Sequence, residues 1–175
     1  MQIRLGPLRP RDRARVAELL VSTRVFSDEE VTVALQLFDV SVDDRGVPSS
    51  GAPAPDYEFT GAFEGERLLG YACAGPTPAT DGTFDLYWLA VDPAVQGKGV
   101  GRRIVHDVER QLRERGARML LVETSSRLDY SKTRAFYARC GYTESARIRD
   151  FYAPADDRIM LTTRLTTRER GAATR

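Results

Sequence analysis

Apolar residues recur at helical spacing twice in the first quarter of the chain. A short strand and turn in IRLGPLRPRD precede a segment in which Val16, Leu19 and Leu20 fall on one helical face. The next such segment, SDEEVTVALQLFDV, begins with Ser27 and carries Glu30 three positions later, which is the pattern of a capping box. A strand followed by two helices is therefore predicted to open the fold.

Longer apolar runs and alternating patterns predict strands in the rest of the chain. The runs YEFTGAFEGERLLGYACAG and GTFDLYWLAV predict three strands of an antiparallel meander, with EGER as the first hairpin turn. A stretch rich in proline, glycine and serine, 44–56, predicts a loop before this meander. ARMLLVET predicts a buried strand, and ESARIRDFY and DRIMLTTRL predict a final pair.

The strongest helical pattern lies between the meander and ARMLLVET. Val100, Ile104, Val108 and Leu112 form an apolar stripe, and Gly116 is placed to end the helix. Strand, helix and strand in this order predict a βαβ unit, while the strands before and after it are antiparallel. A shorter helix in KTRAFYARCGY precedes the last two strands. The predicted fold class is α/β of the α+β type, with a mixed, mostly antiparallel central sheet flanked by helices.

Composition favours one domain, predicted to span 1–168 with a frayed tail at 169–175. Lys and Arg number 26 against 25 Asp and Glu, so no nucleic-acid partner is expected. No apolar run approaches the roughly 20 residues that cross a bilayer, so no membrane partner is expected either. Cys73 and Cys140 lack CxxC spacing and His106 is the only histidine. We therefore expect no metal site, and a cytoplasmic protein with reduced thiols.

Three glycines lie close together in DPAVQGKGVGRR, between the third meander strand and the long helix. Bare amides at a helix amino terminus favour a phosphate group there. A P-loop requires Ser or Thr after its lysine, whereas Gly99 follows Lys98. A dinucleotide fingerprint requires GxGxxG, whereas Gly97, Gly99 and Gly101 give GxGxG. Because the acidic Glu123 ends the next strand, a nicotinamide-dependent oxidoreductase stays an alternative.

Gln96, Gly99 and Gly101 meet the spacing Q-x-x-G-x-G after an apolar strand and an Asp-Pro pair. This loop resembles that of the GNAT superfamily of acetyltransferases. A second segment, TRAFYARCGY, resembles the later helix of that family, in which a pair like Phe136 and Tyr137 precedes a glycine and an aromatic residue. Two motifs in the family's order make the resemblance specific. It implies a GNAT-like fold with acetyl-CoA as co-substrate.

The resemblance also implies which residues contact acetyl-CoA. In the family, loop amides bind the pyrophosphate, and glycine lets the phosphate oxygens approach the backbone. Backbone at the end of the preceding strand binds the pantetheine arm and polarises the thioester carbonyl. The matching positions are Leu89, Ala90, Val91, Gln96, Gly97, Lys98, Gly99, Val100, Gly101 and Arg102, with Lys132 and Arg134 as further phosphate contacts.

Three residues are candidates for proton transfer. The family uses the position of Tyr137 as general acid, and a phenol of pKa about 10 protonates a thiolate of pKa about 8.5 only modestly uphill. Asp85 falls where several family members carry an acidic general base. Glu123 competes for that role, because it lies at the carboxyl end of the strand after the long helix.

The function implied is acetyl transfer from acetyl-CoA to a primary amine, by direct attack in a ternary complex. A catalytically silent acyl-CoA-binding module is the alternative from another class. The expected partners are acetyl-CoA and an amine acceptor, with a homodimer as an open possibility. Small polyamines, amino acids, aminoglycoside-like molecules and proteins all remain open as acceptors. Closure of loop 44–56 over the acceptor is left as an open hypothesis.

Overall fold

The computed structural model describes residues 2–42 and 57–166. The loop 44–56 and the tail 169–175 lie outside these ranges, so the expectations placed on them stay predictions. The chain folds as two compact units: Met1–Pro76 with Asp85–Val108, and Thr77–Phe84 with Glu109–Arg175. The single domain expected over 1–168 also stays a prediction.

Seven strands and four α-helices occur in the described part of the chain. In chain order they are β1 (Arg4–Pro7), α1 (Arg13–Thr23), α2 (Asp28–Ser41), β2 (Glu58–Glu64), β3 (Arg67–Pro76), β4 (Thr83–Val91), α3 (Val100–Glu114), β5 (Met119–Ser125), α4 (Ser131–Arg139), β6 (Thr143–Ala153) and β7 (Asp156–Arg164). The predicted α/β class, with a mostly antiparallel sheet flanked by helices, is confirmed, and the sheet has seven strands. Among the described residues, no helix combines the length and apolar character needed to cross a membrane.

The first unit carries four strands in the order β1-β2-β3-β4. β2 runs antiparallel to both β1 and β3, and its pairing with β3 is the first hairpin of the predicted meander. An alanine Cβ at Gly70 would lie 2.8 Å from the carbonyl oxygen of Ala90, so glycine allows β3 and β4 to approach closely. The apolar faces of α1 and α2 are buried with residues of β2 and β3 in one core, which includes Val16, Leu19, Leu20, Phe38, Phe59 and Tyr71.

The amino terminus of α2 shows the predicted capping box. Ser27 Oγ accepts a hydrogen bond from the Glu30 amide at 3.2 Å, and Glu30 Oε2 accepts one from the Ser27 amide at 2.8 Å. These bonds satisfy two amides that no helical carbonyl can reach. The short polar pattern therefore fixed where this helix begins.

The second unit carries three strands in the order β5-β7-β6, with antiparallel pairing throughout. Glu123 of β5 lies opposite Met160 of β7 in this ladder. Gly116 and Gly141 adopt φ of +80° and +90° just after α3 and α4. Glycine is favoured there because other residues rarely adopt this left-handed conformation.

Candidate functional site

The glycine loop begins at Asp92, directly after β4. The Asp92 amide donates to the carbonyl oxygen of Leu69 in β3 at 2.8 Å, so the end of β4 is tied to its neighbour. Asp92 Oδ1 accepts a hydrogen bond from the Ala94 amide at 2.9 Å. This bond caps the short 3-10 helix Pro93–Val95.

Two polar side chains close the loop on itself. Gln96 Nε2 donates to the carbonyl oxygen of Val91 at 3.1 Å, and Lys98 Nζ donates to that of Ala94 at 3.2 Å. The Lys98 amide donates to the carbonyl oxygen of Val95 at 3.3 Å. Both residues were predicted to contact acetyl-CoA, and in this structure the side chains of both stabilise the loop.

Gly97 and Gly99 adopt φ of +76° and +82°, a region that other residues rarely enter. A Cβ built at either position would meet nothing within 4 Å. The loop therefore requires glycine for its backbone conformation, and it presents open space beside both residues.

The long helix α3 starts at Val100, immediately after these glycines. The Arg103 amide donates to the carbonyl oxygen of Gly99 at 3.1 Å. The amides of Val100, Gly101 and Arg102 precede it, so helix geometry gives them no carbonyl four residues back within the helix. Together with the positive end of the helix dipole, they form a cradle suited to an anion. This cradle lies at the residues for which the sequence predicts contacts with the pyrophosphate of acetyl-CoA.

The exposed Tyr87 of β4 lies close to two other aromatic rings. The Tyr87 ring lies 5.3 Å from that of Tyr57 and 5.9 Å from that of Trp88. Asp85, a candidate base, lies partly buried two residues before Tyr87 in the same strand. Asp85 and the glycine loop both belong to the first unit.

Tyr137, the candidate acid, lies in the second unit and is only 4% exposed. Its ring packs edge-on at 5.0 Å from Phe136 and 5.3 Å from Tyr142. Burial raises the pKa of its hydroxyl above the ordinary value for tyrosine. The phenol therefore keeps its proton at neutral pH, and the raised pKa makes proton transfer to a thiolate more uphill than it is for an ordinary tyrosine.

Glu123, the other candidate base, is held by two side chains that the sequence did not indicate. Its Oε1 accepts a short hydrogen bond from the Tyr152 hydroxyl, and its Oε2 forms a close ion pair with Arg158. The Arg158 guanidinium also lies over the Phe151 ring, 4.9 Å from its centre. Both oxygens of Glu123 are therefore engaged in the second unit.

Of the two basic residues expected to contact phosphate in α4, Arg134 is engaged within the protein. Arg134 Nη1 donates to the carbonyl oxygens of Ser125 and Arg127, at 2.6 and 2.9 Å. These bonds tie α4 to the chain that leaves β5. Lys132 lies exposed on the same helix.

The structure thus brings the loop residues together, and it places Asp85 in the same unit. Glu123, Lys132, Arg134 and Tyr137 belong to the second unit. Across residues 2–42 and 57–166, no group of three or more His, Cys, Asp or Glu side chains is placed to hold a metal ion.

The sequence pattern of the Acetyltransferase (GNAT) family matches residues 18–142, which is more than half of the chain. This chain belongs to the GNAT acetyltransferase family. It is 32% identical over 102 residues to the N-alpha-acetyltransferase RimI of Mycobacterium tuberculosis, a match that covers 57% of this chain and 60% of that protein. The chain therefore spans less than two thirds of this curated relative.

Two solved structures share the GNAT acetyltransferase fold. A GNAT-family acetyltransferase from Desulfovibrio desulfuricans is 38% identical, with a TM-score of 0.83 over 94% of this chain and 99% of that one. An acetyltransferase from Salmonella typhimurium, solved with its cofactor acetyl-CoA, is 16% identical, with a TM-score of 0.70 over 98% of this chain and 99% of that one. The Salmonella likeness concerns the fold alone.

Proposed function

We propose that this chain transfers an acetyl group from acetyl-CoA to a primary amine by direct attack in a ternary complex. The observation that carries the proposal is the open cradle formed by Gly97, Gly99 and the start of α3. Family membership supports it, because the matching relative is an N-alpha-acetyltransferase. Acetyl-CoA as co-substrate is further supported by the Salmonella structure, which contains it.

The binding roles divide into two groups. Amides of Gly97, Gly99, Val100 and Gly101 bind the pyrophosphate, and the Arg102 side chain in the first turn of α3 adds positive charge. Gln96 and Lys98 act indirectly, since their side chains hold the loop closed. Backbone groups of Leu89, Ala90 and Val91 bind the pantetheine arm, and Lys132 and Arg134 supply further positive charge.

Acetyl-CoA supplies an activated thioester, so the protein must deliver a neutral amine and a proton for the departing thiolate. Tyr137 serves as the proton donor, because it falls at the position that the family uses as general acid and its hydroxyl is protonated at neutral pH. Asp85 and Glu123 are the alternatives for accepting the amine proton. Glu123 could do so only within its contacts to Tyr152 and Arg158.

Thiol release from acetyl-CoA, measured with a broad panel of primary amines, tests the proposal. We expect turnover with at least one amine, and a lower kcat in Tyr137→Phe at unchanged acetyl-CoA affinity. Tight acetyl-CoA binding without turnover on any amine would instead identify a silent acyl-CoA-binding module. Binding of NADH but not of acetyl-CoA would favour an oxidoreductase.

A further inference from the structure

Asp92, the first residue of the glycine loop, forms ion pairs with two arginines from distant parts of the chain. Its Oδ2 accepts from Arg15 Nη2 at 2.5 Å and from Arg67 Nη2 at 2.7 Å. Its Oδ1 accepts from the Ala94 amide at 2.9 Å. The Asp92 side chain is 10% exposed. We call Arg15, Asp92 and Arg67 the loop clamp.

Arg15 is itself fixed in place by three contacts. Its Nε donates to the carbonyl oxygen of Leu68 in β3 at 3.1 Å, and its Nη1 pairs with Glu18 at 2.9 Å. With Nη2 on Asp92, one guanidinium joins α1, β3 and the loop. A planar guanidinium suits this task, because its donors leave in fixed directions.

The positive charges of the two arginines compensate the buried negative charge of Asp92. A carboxylate buried without partners is costly, and removing one partner of a buried pair leaves an uncompensated charge. The hydrogen bond from the Ala94 amide, which has the largest effect, and the two arginines hold the pKa of Asp92 below its ordinary value. Asp92 therefore remains an anion at neutral pH, and its ion pairs with both arginines persist.

We propose that Arg15 and Arg67 are positioning residues, which act through Asp92 to hold the glycine loop in the conformation that binds the pyrophosphate of acetyl-CoA. The inference rests on the proposed function. Asp92 is four residues before Gln96 and five before Gly97. A shift of Asp92 would therefore displace the amides that form the cradle. The loop amides can bind the pyrophosphate well only while the contacts of Asp92 fix their positions.

The test compares acetyl-CoA affinity in three variants of the full chain: Asp92→Asn, Arg15→Met and Arg67→Met. Asp92→Asn keeps an oxygen for the Ala94 amide but removes the charge that holds the arginines. We expect each variant to raise the Kd for acetyl-CoA about 10-fold, which is the loss of one charge-assisted hydrogen bond. Arg67 is 59% exposed, so Arg67→Met should fold even if the other two do not.

A matched control lies on the same helix. Arg13 of α1 pairs with Asp39 through Nε and Nη2, at 2.5 and 2.8 Å, on the protein surface. Arg13→Met therefore also removes an arginine–aspartate pair from α1, but it leaves the loop untouched. It should bind acetyl-CoA as the wild type does.

S-acetylpantetheine separates positioning from general damage, because it carries the thioester arm without the pyrophosphate. The clamp variants should bind it with wild-type affinity, and Arg15→Lys should recover part of the lost acetyl-CoA affinity. Wild-type Kd values for acetyl-CoA in Arg67→Met would overturn the proposal, as would equal losses for both ligands. If the wild type itself fails to bind acetyl-CoA, the proposed function fails as well. If the wild type and the clamp variants bind acetyl-CoA with equal affinity, the positioning role of the loop clamp is refuted and the proposed function is not.

Discussion

Replacing Gly97 or Gly99 with alanine should weaken acetyl-CoA binding far more than the same change at Gly116. All three glycines have similar backbone conformations, with φ of +76°, +82° and +80°. A Cβ at any of them meets nothing within 4 Å. The cost to folding is therefore the strain of a left-handed residue, about 1–2 kcal/mol in each variant. For a chain of this size, that lowers Tm by about 3–6 °C.

The binding cost should differ, because only the two loop glycines face the proposed phosphate site. Displacing the pyrophosphate from one amide loses a charge-assisted hydrogen bond of about 1.5–3 kcal/mol. That corresponds to a Kd about 10- to 100-fold higher. Thermal denaturation and calorimetric titration of all three variants separate the two effects. Unchanged acetyl-CoA affinity in Gly97→Ala and Gly99→Ala would refute the assignment of the cradle, and an equal loss in Gly116→Ala would show that strain alone explains the effect.

Three further predictions concern single side chains. Tyr137→Phe should lower kcat about 100-fold, as expected for loss of a general acid, with acetyl-CoA affinity unchanged; equal kcat values in the thiol-release assay would contradict this. The lowered pKa of Asp92 stabilises the fold above the unfolded value of about 3.9 and ceases to do so as pH falls through the folded value. The free energy of unfolding in urea should thus differ between wild type and Asp92→Asn by an amount that is constant from pH 7 to 5 and smaller towards pH 3. A difference at pH 3 as large as that at pH 7 would contradict this role of Asp92. Phe38→Ala, at a side chain 1% exposed that packs edge-on against Phe59, should cost about 3–5 kcal/mol, whereas Val33→Ala, at a residue 47% exposed, should cost less than about 0.5 kcal/mol by the same assay.

The features that the sequence predicted correctly follow local rules. The stripe of Val100, Ile104, Val108 and Leu112 is buried in the structure, because residues three or four apart share a face of a helix. The capping box of α2 spans four consecutive residues, so its pattern is complete in the sequence. The place of the glycine loop between β4 and α3 was predictable for the same reason, because its spacing is contained within a short segment.

The loop clamp could not be found in this way. Arg15 and Asp92 are 77 positions apart, and Arg67 and Asp92 are 25 apart. Their pairing depends on how α1 and β3 pack, and neither periodicity nor capping carries that information. With 26 basic and 25 acidic residues, the sequence allows very many ion pairs.

The partners of Glu123 were missed for the same reason. Arg158 lies in β7, which pairs with β5, whereas Tyr152 lies in β6, in the irregular stretch between Ile148 and Ala153. The sequence placed Glu123 at the end of a strand but gave no sign that both of its oxygens were engaged.

Calorimetric titration with acetyl-CoA, of the wild type and of Gly99→Glu, tests the central claim most directly. The account predicts tight binding to the wild type and none to the variant, because a glutamate at Gly99 places a negative charge in the phosphate cradle. NADH, titrated in parallel, should not bind to either protein. Equal acetyl-CoA binding by both proteins would contradict the account, as would a wild type that binds NADH but not acetyl-CoA.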